Sequence, residues 1–312
     1  MSLTVVGSIA YDAVQTPSGN RDRMLGGAAT HFALAASFFD QVRPIGPVGD
    51  DFDEASWETL RTRDTIVDDV EHVPGGKTFF WAGVYHDNLN RRETLQTDLN
   101  VFETFDPKLS EASAACDVLF LANIQPDLQY GVRQQCEQAR FVAMDSMNLW
   151  IDIARESLVR VIGSVDCLIL NDEEFEQLTG KSLVPACQEV LTWGPTAVVA
   201  KQGKYGAVLF TNDGFFAIPA YPVSDVVDPT GAGDSFAGGF VGYVAARLKA
   251  GDTIDHKLLS TAMAYGTSLA SYNVQAFGTE RMPQLTADEV QQRVTNLQQM
   301  TAFETAPVAL RT

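Results

Sequence analysis

Apolar residues along this chain follow two alternating rhythms. Short, nearly continuous β-branched runs predict strands over Leu3–Ile9, Asp117–Leu121, Arg140–Met144, Cys167–Leu170 and Ala197–Ala200. Stretches with helical spacing lie between and after them. They cover Ala28–Phe39, Asp53–Arg63, Leu128–Glu137, Ile151–Val161, Asp172–Leu178, Asp234–Lys249 and His256–Ser271. A closing amphipathic helix is expected over Thr286–Gln299, with Asp288 and Glu289 near its start. Strands that are apolar throughout and alternate with helices predict a mostly parallel sheet covered on both faces.

One region breaks the rhythm. Between Lys77 and Asn100 the chain reads Thr78-Phe-Phe-Trp-Ala-Gly-Val-Tyr85, then an Asn/Asp-rich turn over His86–Asn90, then a second β-rich segment to Asp98. That pattern predicts a hairpin. Its first strand puts Phe79, Trp81 and Tyr85 on one face and Thr78, Phe80, Ala82 and Val84 on the other. A lone hairpin is marginal in water, and one covering face leaves Phe80 and Val84 bare. Pairing into a homodimer is the expected remedy, with burial on the chain's own core as the alternative.

Composition narrows the field further. At 312 residues the length suits about two domains or, equally, one α/β domain, 1–312, with a small appendage, and no repeat or low-complexity linker appears. A net charge of −18 argues against nucleic acid and anionic membranes as partners. No apolar run reaches membrane-spanning length, and the chain opens on strand-like Leu3–Val6 without a signal-peptide pattern, so the expected compartment is the cytoplasm. Four cysteines, at 116, 136, 167 and 187, stand far apart without Cys-x-x-Cys spacing and read as reduced structural thiols.

Two segments imitate a P-loop and fail. Pro74-Gly-Gly-Lys-Thr78 has Glu71 where the first glycine belongs, and Gly180-Lys-Ser182 has Phe175 there. No Gly-x-Gly-x-x-Gly follows the first strand either, which excludes a dinucleotide-binding fingerprint.

The densest chemistry sits in Asp228-Pro-Thr-Gly-Ala-Gly-Asp-Ser-Phe236. A polar turn runs through Gly231-Ala232-Gly233 into a helix, where backbone N–H groups and the helix dipole favour an anion. A carboxylate, Asp234, stands in the first turn beside that anion site. The pairing makes sense if Asp234 takes a proton from a hydroxyl that attacks a phosphoryl group.

This segment resembles the C-terminal signature of the ribokinase-like (PfkB) carbohydrate kinases. Three further segments resemble the same family in the same order: Val5–Asp12, Gly26-Gly27-Ala-Ala-Thr-His31 and Asn171-Asp-Glu-Glu174. The resemblance implies a three-layer α/β/α sandwich with a small β lid built from about 12–22 and 77–100. It implies Asp234 as base, Gly231, Ala232 and Gly233 as anion-hole amides, and Asp12, Gly26, Gly27 and His31 as substrate contacts. Asn171, Gly203, Thr230 and Asn273 would line the nucleotide, the last bordering adenine. Glu174 would help to organise Mg²⁺, with Asp228 near the same ions or at a K⁺ site. Asn171 and Glu174 also satisfy a plain helix cap. The family usually carries Asn where His31 stands, and Asp145-Ser-Met-Asn148 resembles its Asp-x-Asn element with one extra residue. The implied activity is ATP-dependent phosphorylation of a hydroxyl on a small sugar, polyol or nucleoside. A nucleoside kinase of the same fold and a catalytically silent sugar-binding regulator are the alternatives.

Overall fold

The computed structural model describes residues 2–86, 88–89 and 91–304. Thirteen strands occur among them, labelled β1 to β13 in chain order. They are Leu3–Val6, Ala10–Thr16, Gly19–Gly26, Val42–Val48, Val70–His72, Phe79–Tyr85 and Arg92–Asp98, then Val118–Leu121, Phe141–Met144, Cys167–Asn171, Ala197–Lys201, Ala207–Thr211 and Gly214–Ile218. Nine form the main sheet in the order β13-β12-β11-β10-β9-β8-β1-β4-β5. The run from β11 to β5 is parallel, and β12 and β13 turn back antiparallel at one edge.

Alternation along each central strand explains the layers. Leu3 and Val5 of β1, Cys167 and Ile169 of β10, and Ala197 and Val199 of β11 bury into one core with the helices Ala28–Ala36, Ala232–Lys249 and His256–Asn273. Val6, Leu168, Leu170, Val198 and Ala200 bury into the opposite core with the helices Pro126–Gln135, Arg155–Ile162, Asp172–Thr179 and Leu183–Leu191. Both faces are dry, which is why these strands read as unbroken apolar runs. The fold is the expected α/β/α sandwich.

A second sheet holds the remaining four strands in the order β3-β2-β6-β7. The hairpin β6–β7 is present, but β6 also pairs in parallel with β2, from Ala10↔Phe79 to Gln15↔Val84. The lid is therefore four strands wide, and the instability of a lone hairpin does not arise. Phe80 is half-buried against the main core, which corrects the expectation that it stands bare. The outer face exposes Leu95, at 62%, beside a cleft of about 510 Å³ lined by Ala13, Gln15, Asn20 and Ala82. Of the anticipated turn residues, Asp87 and Asn90 lie outside the described residues.

Other boundaries moved for local reasons. The first strand ends at Val6 and hands Ala10–Thr16 to the lid. The helix expected over Ile151–Val161 is two, Asn148–Ile153 and Arg155–Ile162, broken at Ala154 with φ −138°. Strand β4 was not visible in the pattern because Pro44 and Pro47 interrupt it. Among the described residues no helix is long and apolar enough to cross a membrane.

Candidate active site

The parallel strands end where the lid begins, and the predicted residues converge there. Gly231 caps the helix Ala232–Lys249 with φ 72°, and a side chain on it would collide with the imidazole of His31. Ala232 and Gly233 follow in the first turn, and Asp234 stands half-buried beside them. Burial raises the Asp234 carboxyl above its usual range, while Lys201 and Arg92 pull it back.

Asp12 enters from β2, 5% exposed. Burial first, then the neighbouring Asp228 and Asp234 carboxylates, push it up to about 7, partly offset by a hydrogen bond from the Gly27 amide and by Arg92. Any side chain at Gly26 would strike the Asp12 carboxylate, and one at Gly27, where φ is 95°, would strike the backbone of Ser8 and Ala10.

His31 is buried rather than open to the cleft, at 1% exposure. Its Nδ1 lies 3.1 Å from Asn273 Oδ1, which also accepts the Ser235 hydroxyl at 3.1 Å. The Asn273 amide in turn donates to the Thr230 carbonyl at 2.7 Å. These bonds make His31 an Nδ1–H tautomer, and burial keeps it neutral by lowering its pKa. Asn273 is fully buried, and its bonds to His31, Ser235 and Thr230 brace the signature turn.

Asp228 is also fully buried. Its two oxygens accept the Thr230 and Gly278 amides, each at 2.9 Å, and so staple the signature to the loop after helix His256–Asn273. Thr230 donates its hydroxyl to the Tyr85 hydroxyl of the lid at 3.3 Å. Asn171 and Glu174 form a reciprocal capping box, with Asn171 Oδ1 accepting the Glu174 amide at 2.7 Å and Glu174 Oε2 accepting the Asn171 amide at 2.8 Å. The box uses one Glu174 oxygen. Burial pushes this carboxyl up to about 7, with Lys201 acting against it and Asp145 with it. Gly203 opens an exposed turn with φ 53° beyond the end of β11.

Two contributors, Lys201 and Arg92, escaped the sequence reading, and Trp81, expected in the lid, gains a definite partner. Lys201 ends β11, register-paired with Asn171, and its Nζ lies 3.0 Å from Asp145 Oδ2. Arg92, exposed on β7, acts electrostatically on Asp12, Glu174 and Asp234. Trp81 is register-paired with Asp12 and lies over Gly83, where a methyl group would collide with the indole. Its Nε1 donates to Thr94 at 3.3 Å, which fixes the ring flat on the cleft-facing side of the lid. The parallel register of β2 on β6 sets Trp81 beside Asp12, and that of β10 on β11 sets Lys201 beside Asn171; no local pattern announces either.

The family model described as pfkB family carbohydrate kinase matches residues 2–286. The chain belongs to that family. A cytidine kinase of Thermococcus kodakarensis is 29% identical over 258 residues, covering 79% of this chain and 90% of that protein. A ribokinase of Lactococcus lactis is 24% identical over 299 residues, covering 91% and 94%. The crystal structure of the Methanocaldococcus jannaschii nucleoside kinase superposes with a TM-score of 0.76 at 22% identity, covering 95% of this chain and 98% of that one. The family relationship places the chain among kinases that act on small sugars and nucleosides, and the superposition establishes the fold.

Proposed function

We propose that this protein is an ATP-dependent nucleoside kinase. The observation that carries the reading is the Trp81 platform. A flat, half-exposed indole lies on the face of the lid that also presents Asp12, one strand away. Asp12 suits two adjacent ribose hydroxyls, and an indole beside it suits a stacked base. A simple sugar would use the first feature and leave the second without a partner. The cytidine kinase relative supports the same choice over a polyol.

In this reading the acceptor hydroxyl lies between Asp234 and the phosphoryl group. Asp234 accepts its proton, and a carboxyl raised toward neutrality is better matched to that task than an ordinary one. In this reading the amides of Gly231 and Gly233 serve the transferring group, while the Ala232 amide, which donates to the Pro229 carbonyl at 3.2 Å, holds the turn that presents them. Mg²⁺ fits the available oxygen donors through Glu174 and waters. Among the described residues no cluster of three or more His, Cys, Asp or Glu could hold a metal alone. When bound it would neutralise the polyphosphate. K⁺ beside Asp228 remains part of the proposal, since that buried carboxylate has two neutral amides as partners.

A screen of cytidine, uridine, adenosine, inosine, ribose and fructose with coupled ADP detection tests the reading. At least one nucleoside should exceed both free sugars by tenfold or more in kcat/KM, on the order of the ~1–3 kcal/mol that a stacked aromatic contributes. Gly83→Ala, which displaces the indole, should remove most of that preference. Equal turnover of ribose and its nucleosides would refute it.

A further inference from the structure

Lys201 has the burial and surroundings of a working group that no motif accounts for. Its side chain is 17% exposed and paired with Asp145, itself 7% exposed, at 3.0 Å. It also faces the signature helix directly, since a Cβ built on Gly233 would sit 3.0 Å from Nζ. The ammonium therefore occupies the mouth of the amide cradle, where Gly233 has no side chain to keep it out. Asp145, Glu174 and Asp234 all act on it electrostatically. Burial works to discharge it, but the three carboxylates outweigh burial and hold it protonated.

Nζ carries three donors, of which Asp145 takes one while Glu174 and Asp234 act on it at longer range, so a donor remains for an anion seated beside Gly233. Resting on the kinase reading above, the geometry points to Lys201 as a catalytic residue that grips the transferring phosphoryl oxygens, with Asp145 positioning it. In the step, the acceptor oxygen forms a bond to the γ-phosphorus and the bond from that phosphorus to the β–γ bridging oxygen breaks. The acceptor proton goes to Asp234 and ADP leaves with the bonding pair. Lys201 forms no covalent bond and loses no proton. Its charge moves from Asp145 toward the equatorial oxygens, as expected for a transfer governed by electrostatic stabilisation.

The test uses the full chain with Lys201→Met. Where that variant fails to fold because it strands Asp145, the double variant Lys201→Met/Asp145→Asn removes both charges and is scored in the same way. Circular dichroism establishes folding first. The kcat should fall by roughly 10²–10³ with acceptor KM within about threefold of wild type. Calorimetric titration supplies the second readout: a non-hydrolysable ATP analogue should bind about tenfold more weakly with AMP binding unchanged, and an analogue affinity equal to wild type overturns the grip on the γ-phosphoryl oxygens. A kcat within tenfold of wild type overturns the inference. Equal weakening of AMP and the analogue also overturns it, because that marks a collapsed site. Wild-type inactivity toward every acceptor would instead defeat the kinase reading, so the two failures are distinguishable.

Discussion

Asp12 should be a group whose ionisation costs the empty protein stability and serves the loaded one. Its carboxyl rises from the usual 3.8 to about 7 on folding, chiefly through burial and then through Asp228 and Asp234. The folded state therefore binds more protons than the unfolded chain between those values, and stability falls as pH rises across them. The penalty is absent below about pH 4 and complete above about pH 7, with an upper bound of about 4 kcal/mol at 1.36 kcal/mol per pH unit. Relaxation around a coupled cluster will lower the realised value to about 1–3 kcal/mol. Asp12→Asn removes the charge while keeping size and hydrogen bonding. Urea unfolding of both proteins at pH 5 and pH 8, without ligand, measures the difference. The variant should be the more stable protein at pH 8, with its advantage shrinking by half or more at pH 5. Its kcat/KM for the nucleoside should fall by roughly 10² because the amide NH₂ cannot accept a ligand hydroxyl and the charge that strengthens the remaining contact is gone. A variant less stable than wild type by the same amount at both pH values would refute the reasoning.

Asp234→Asn should leave the fold and nucleotide affinity intact while kcat drops by roughly 10²–10⁴, checked by steady-state kinetics beside a calorimetric titration. Near-normal turnover would remove Asp234 as the base. Glu174→Gln keeps an oxygen for the capping box, so its urea midpoint should match wild type while the Mg²⁺ concentration for half-maximal rate rises several-fold. An unchanged Mg²⁺ titration would leave Glu174 a helix cap only. The outer lid face, with Leu95 exposed, is expected to pair two copies, and light scattering should show a wild-type dimer that Leu95→Asp dissociates. A wild-type monomer at micromolar concentration would discard that interface.

What the sequence by itself determined was everything carried by local pattern. The apolar runs of β1, β8, β9, β10 and β11 are buried on both faces, so they declare a parallel sheet without further context. The run Gly231-Ala-Gly-Asp234 declares its helix start because a glycine cap in the left-handed conformation is a local backbone feature. The capping box of Asn171 and Glu174 is local in the same sense. Tertiary structure decided what depends on register and on strand ends meeting. Lys201 and Asp145 are 56 residues apart, and only the sheet order that sets the ends of β11 and β9 on either side of β10 makes them one ion pair. Trp81 became a platform because β6 aligns it with Asp12 and Gly83 yields room beneath it. His31 and Asn273 meet across 242 residues of chain, a contact that only the packing of their two helices could make.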